Sequence, residues 1–210
     1  LGELGVFGAN LPEKYGCAGL NNVSYGLIMQ ELERGDSGIR SFVSVQGALV
    51  MYPIFAFGSE EQRSEWLPKL ATGEAIGCFG LTEPDYGSDP AGMITTAKRT
   101  DDGWLLNGAK MWITNGPRAD VLVVYAKTDP DAGKRGITAF LVEKGFKGFS
   151  TAPKLDKLGM RGSDTCELIF EDCEVPAENV LGDDGGGVNV LMSGLDYERL
   201  VLAGGPLGLM

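Results

Sequence analysis

Histidine is missing altogether from the 210 residues. That one absence removes His-based nucleophilic triads, His-ligated metals and an imidazole general base together. Proton transfer must then fall to a carboxylate, lysine, tyrosine or cysteine. Cysteine is scarce as well. Cys17, Cys78, Cys166 and Cys173 show no C-x-x-C spacing and no zinc pattern, so reduced structural thiols are the default and no metal is expected. Positive charge is in short supply: 18 Lys and Arg face 29 Asp and Glu, for a net charge of −11. This balance argues against nucleic acid or an anionic membrane as the main partner. No unbroken apolar run approaches the roughly 18 residues of a membrane span. No charged or amphipathic leader is visible either. The chain opens at Leu1 and stops at Met210 inside a helical pattern, so it reads as a piece of a longer polypeptide.

What is present is ordinary for a globular protein, with 43% apolar and 22% charged residues, except for 32 glycines that point to many tight turns. The first third reads as helices. Tyr25, Ile28, Met29 and Leu32 recur at three- and four-residue spacings behind Asn21-Asn22, a ready N-cap. Residues 38–57 are apolar all round, as in a buried helix, with Pro53 expected to kink or end it. Ser59-Glu60-Glu61-Gln62 is a capping-box pattern.

From about Ala75 the texture changes to short strands and turns, which predicts a compact antiparallel barrel or sandwich. Asn107-Gly108 signals a hairpin between two of those strands. Residues 188–210 return to a helical pattern that Pro206 should kink or divide. The glycine-rich stretch 182–187 does not follow a strand in a βαβ unit and carries Asp183 and Asp184, so it is no phosphate loop.

Two segments carry chemistry. Phe79-Gly80-Leu81-Thr82-Glu83-Pro84-Asp85-Tyr86-Gly87-Ser88-Asp89 leaves an apolar strand and turns at Glu83-Pro84, with Gly87 free to take φ > 0. Hydroxyls at Thr82 and Ser88 are then held at a strand end. In Trp112-Ile113-Thr114, the period of two puts the indole and the hydroxyl on the same side of a strand. An aromatic face beside a hydrogen-bond donor suits a flat, redox-active ring. On residue chemistry alone, a core tryptophan and a plain turn explain the same letters.

Together these segments resemble the flavin-binding signature of the acyl-CoA dehydrogenase family, and the similarity runs over almost the whole chain. The resemblance implies an α+β protein: an incomplete N-terminal helical domain (1–74), a complete middle antiparallel β-barrel domain (75–185), and the first helix of a truncated C-terminal helical-bundle domain (186–210). It implies FAD edged by Phe79, Leu81, Thr82, Gly87 and Ser88, with Trp112 on the flavin face and Ile113 and Thr114 beside it. Ser88 would also meet the acyl-CoA thioester arm. Electron-transfer flavoprotein is the implied acceptor, and a homotetramer the implied full-length assembly. A bacterial copy would be cytoplasmic, a eukaryotic one mitochondrial.

The two ends resemble different members of that family. Residues 193–210 and 155–180 are similar to isovaleryl-CoA dehydrogenases, whose catalytic glutamate stands at the position of Glu198. Asp196 and Arg199 would position acyl-CoA or the base. The N-terminal part resembles glutaryl-CoA dehydrogenases, in which the arginine at the position of Arg40 binds a distal carboxylate, oriented by neighbours matching Glu33 and Ser41. The change-over lies near residues 107–116. A Glu198 base favours isovaleryl-CoA or another short branched acyl-CoA. Glutaryl-CoA dehydrogenation is the alternative, followed by an acyl-CoA oxidase and a flavin-free, non-catalytic piece.

Overall fold

Helix α1 (Asn22–Gly35) begins at the expected cap: the Asn21 side chain accepts the Ser24 N–H at 2.9 Å and satisfies one orphan donor of the first turn. Tyr25 and Met29, one turn apart, are buried on its inner face. A computed structural model describes residues 1–210, apart from the side chain of Tyr197.

Helix α2 (Ser37–Phe57) is capped by Asp36, which accepts the Ile39 N–H at 2.8 Å. Its middle, Val45–Met51, is a π turn. Pro53 lacks an N–H, and its ring would crowd the carbonyl four residues back. The wider turn just ahead of it takes up that mismatch, so α2 runs through Pro53 instead of ending there. By length and composition α2 could cross a membrane, which the sequence reading missed; 56% of its apolar window is buried inside the protein. Gln46, wholly buried, donates to the carbonyls of Leu70 (3.0 Å) and Ala75 (2.9 Å) and accepts the Gly77 N–H (2.7 Å). It ties α2 both to α3 (Glu60–Thr72) and to the start of the sheet. Helix α3 opens with the expected capping box between Ser59 and Gln62.

Eight strands follow: β1 (Gly77–Gly80), β2 (Thr96–Arg99), β3 (Gly103–Thr114), β4 (Val121–Lys127), β5 (Ile137–Glu143), β6 (Phe149–Thr151), β7 (Thr165–Pro176) and β8 (Val180–Leu181). They form one sheet in the order β6-β7-β3-β2-β4-β5-β8, with β1 paired to β4 off that path. The hydrogen-bonded path does not close into a barrel among the described residues, and it is mixed, not purely antiparallel. β1 pairs β4 in parallel because the β2–β3 hairpin is inserted between them, a connection long enough for a crossover. Along β4, Val121, Val123 and Tyr125 enter a core shared with the helices, while Leu122 and Val124 enter a second core with β3 and β7. Burial on both faces explains its unbroken apolar run.

Asn107-Gly108 is not a turn. It lies within the continuous strand β3, where the register with β7 shifts. Asn107 exchanges two hydrogen bonds with Asp172, its side chain donating at 3.0 Å and accepting the Asp172 N–H at 2.9 Å. Gly108 lies so close to Thr95 that a Cβ would meet it at 2.5 Å. The asparagine thus fills the ladder opposite a bulge on β7. The hairpin turn lies earlier, closed by Thr100 N–H to Gly103 O at 2.9 Å.

After the glycine-rich loop come α4 (Gly187–Leu202) and α5 (Gly204–Leu209). Pro206 has no N–H for the Leu202 carbonyl, and the helix divides at Ala203. Asp184 in the loop accepts the hydroxyls of Thr128 (2.8 Å) and Thr138 (2.9 Å), which pins the start of α4 to the sheet. Helix α5 lies against α1 with its backbone in near contact: a Cβ at Gly208 would stand 2.2 Å from the Gln30 carbonyl oxygen. Gly208→Ala should therefore force the helices apart and cost about 1–3 kcal/mol. Urea unfolding of the 210-residue chain checks this, and an unchanged midpoint would mean that α5 is not seated on α1.

Candidate functional site

The chemistry-bearing loop leaves β1 at Gly80. Glu83 and Tyr86 exchange backbone hydrogen bonds (3.3 and 3.2 Å) around Pro84-Asp85, so the expected turn is present. Gly87 does not use the left-handed region. Its value is room, since a Cβ there would meet only the Thr82 methyl at 4.0 Å. Thr82 is half-buried and Ser88 exposed.

The left-handed conformation belongs instead to Trp112, with φ 64°. Between the pairs Lys110↔Leu168 and Ile113↔Cys166, Met111 and Trp112 oppose the single residue Glu167. This bulge resets the alternation. Counting by two from buried Lys110 would send Trp112 into the core; with one residue inserted, Trp112 is 60% exposed. Ile113 is buried and Thr114 half-buried. A bulky residue at positive φ is strained, and such strain marks places where the surroundings fix a side chain for use. The Met111 N–H, freed from the ladder, donates to the Thr82 carbonyl at 2.8 Å. The two motifs of the sequence are thereby joined by a backbone hydrogen bond.

A second cluster forms where α4 meets α2. Glu198 is only 6% exposed. Burial pushes its carboxyl up to about 7, against the opposing pull of the Arg40 charge and a hydrogen bond with Ser44. Arg40 pairs through Nε with buried Glu33, and its Nη1 donates to the Ser44 hydroxyl at 3.2 Å. For Glu33, burial works upward, but hydrogen bonds from Ser37 and Arg40 and the Arg40 charge hold the carboxyl below its ordinary value. Gly205 lies over this pair: a Cβ there would meet Glu33 Oε2 at 3.0 Å. A neutral-range carboxylate in a dry pocket can serve as a proton acceptor at working pH.

Models of the acyl-CoA dehydrogenase N-terminal domain and middle domain match residues 1–74 and 78–173. The chain belongs to the acyl-CoA dehydrogenase family. It is 52% identical to the mitochondrial isovaleryl-CoA dehydrogenase of Arabidopsis thaliana and 55% identical to that of Pongo abelii, along 100% of this chain and 51% and 50% of theirs. A glutaryl-CoA dehydrogenase structure from Mycobacterium smegmatis in complex with FADH2 is 52% identical at a TM-score of 0.92, covering 99% of this chain and 52% of that one. The chain thus spans about half the length of these relatives. Neither subfamily's match stops near residues 107–116.

The other expected site residues differ in exposure and partners. Leu81 and Ile113 are buried in the two cores. Phe79 packs edge-on against Tyr125. Asp196 and Arg199 are exposed and reach each other only at 3.9 Å. The hydroxyl on Arg40 belongs to Ser44, one helical turn on, and not to Ser41. The i,i+4 spacing from Arg40 was the available signal for Ser44. Sequence reasoning also missed the partnership of Glu83 with Lys110, whose cue was a lone lysine inside an apolar strand. All four cysteines are free and buried, and burial carries the Cys78 thiol well above the ordinary range, which suits structure and not nucleophilic attack. Among the described residues no group of three Cys, Asp or Glu side chains could hold a metal ion.

Proposed function

We propose that this chain is the N-terminal and middle portion, with the start of the C-terminal bundle, of an FAD-dependent enzyme that dehydrogenates a short or branched acyl-CoA at its α and β carbons. The N-terminal family model ends at residue 74, in keeping with a division at 74/75; the middle-domain model ends at residue 173, and the division proposed at 185/186 rests on the start of α4 at Gly187. The observation that carries the reading is the exposed, strained Trp112 beside Thr114 in a bulge bonded to the Thr82 loop. An open indole face, two half-buried hydroxyls and the space left by Gly87 suit a flat heteroaromatic ring. FAD, when bound, supplies the acceptor for the β-hydride. Trp112 would support the ring face, Thr82 and Thr114 would bond its edge, and Ser88 would meet both ring and thioester. Glu198 would take the α-proton, its buried carboxylate made basic enough by desolvation.

Substrate choice turns on Arg40. A buried, unpaired guanidinium would call for a distal carboxylate, but Arg40 is already neutralised by Glu33 and bonded to Ser44, with its side chain 15% exposed. The Glu33 pair is also what the glutaryl-type arrangement implies, so the preference for an uncharged chain such as isovaleryl over glutaryl rests on the Glu198 base. Electrons would pass to electron-transfer flavoprotein. The full-length enzyme would assemble as a homotetramer. A bacterial copy would work in the cytoplasm and a eukaryotic one in the mitochondrial matrix; the plant and ape relatives are mitochondrial enzymes.

The test compares kcat/KM for isovaleryl-CoA and glutaryl-CoA in a full-length protein carrying these residues, before and after Arg40→Ala. Isovaleryl-CoA is expected to lead in both. A glutaryl-CoA preference that disappears with Arg40 would overturn the assignment.

A further inference from the structure

The buried ion pair beneath the Thr82 loop has no part in the chemistry above. Lys110 and Glu83 are 0% and 1% exposed at their side chains, with Nζ 2.8 Å from Oε1. Lys110 Nζ also donates to the Leu81 carbonyl at 3.2 Å. The Glu83 carboxylate accepts two further N–H groups, Ile94 at 2.7 Å and Thr95 at 3.0 Å. Apart from the ion pair, these bonds end on the loop that runs from Leu81 to Thr95, three of them on its backbone and one, from Nζ, on the Met93 sulfur at 3.9 Å. Lys110 is also the last residue before the bulge that presents Trp112, and its neighbour Met111 holds the Thr82 carbonyl.

These contacts lie on both ends of one loop and on one strand. A plain core pair would serve as well with its bonds scattered. Here the ammonium fixes the loop's exit at Leu81, the carboxylate fixes its return at Ile94 and Thr95, and the loop is thereby set at one height above the bulge. We infer that Lys110 and Glu83 are positioning residues that lock the Thr82–Ser88 loop to the Trp112 bulge, and so set the width of the slot between the Thr82 and Thr114 hydroxyls. The use of that slot for a flavin rests on the function proposed above; the lock itself does not.

The experiment is amide hydrogen exchange on the 210-residue chain, with Lys110→Met, Glu83→Gln and the double variant. In Lys110→Met, the amides of Ile94, Thr95 and Met111 should exchange at least about 10-fold faster relative to Val123 and Leu141 in the β4–β5 pair. Removing both charges relieves the buried unpaired carboxylate, so the double variant should regain much of the lost stability while the same three amides stay fast. If all amides accelerate together in Lys110→Met, or if the three recover fully in the double variant, the pair is a core stabiliser and the inference fails. FAD affinity, read from the flavin's visible band, runs alongside in full-length protein and should fall at least 10-fold in Lys110→Met. Unchanged affinity with fast loop amides would also overturn the slot-width claim. A parent protein that binds no FAD would reject the flavin reading instead, and the exchange ratios would still decide the lock.

Discussion

On the proposed function, Glu198→Gln in full-length protein should retain the flavin and lose α-proton abstraction, lowering kcat/KM for isovaleryl-CoA by roughly 10²- to 10⁴-fold, the range that a positioned general base supplies. Glutamine keeps the shape and the hydrogen bond with Ser44 but cannot take a proton. The same substitution has a second signature in stability. Burial raises the Glu198 carboxyl from an ordinary 4.5 to about 7. Between those values the folded chain holds a proton that the unfolded chain has released. The contribution of this group to stability is therefore greatest below about 4.5 and is lost as pH rises through about 7, about 3 kcal/mol in all. Glu198→Gln should remove that part of the slope. Urea midpoints of the 210-residue chain at pH 5 and pH 8, with and without the substitution, read it directly. Parallel pH dependences in the two proteins would show that Glu198 is solvated and unfit for the role.

Lys110→Met should be the most destabilising single change at the site, by about 3–5 kcal/mol. Coulomb attraction in that pocket offsets the cost of taking both charges from water only while both are present. Without the ammonium, the Glu83 carboxylate loses its counter-ion, and its hold on the Ile94 and Thr95 N–H groups weakens. For the intact pair, burial draws the Lys110 ammonium down to about 8 despite Glu83's opposing pull. On Glu83 burial works upward, yet the lysine's charge and the donated hydrogen bonds hold the carboxyl below its ordinary range. Both groups are thus ionised at neutral pH. A midpoint shift worth less than 1 kcal/mol would mean that water reaches this pair.

Much of this was legible in the letters. Asn21, the Ser59–Gln62 box and the apolar periodicity of residues 20–34 act within one or two turns, so local rules place them. The flavin-type motifs were legible as segments, but their geometry was not. A period of two cannot foretell that Met111 and Trp112 share one partner on β7, because a bulge is set by the register of a strand more than fifty residues away. Asn107-Gly108 misled for the same reason: Asp172, far along the chain, completes its hydrogen bonds. Gly87 drew attention as a φ > 0 residue, whereas the strained backbone sits at Trp112. The Arg40–Ser44–Glu198 cluster joins helices about 150 residues apart in sequence, and only the packing of α4 on α2 makes the arginine a neighbour of the base. The sheet's parallel β1–β4 pairing likewise depends on topology that strand propensities do not carry.

The most direct measurement is a crystal structure of the full-length protein with FAD and an unreactive isovaleryl-CoA analogue. The expected result is an isoalloxazine lying on Trp112 with its edge bonded to Thr82 and Thr114, and the Glu198 carboxylate facing the α carbon of the acyl chain. A flavin seated elsewhere, or Glu198 turned toward Arg40 with no reach to the thioester, would contradict it.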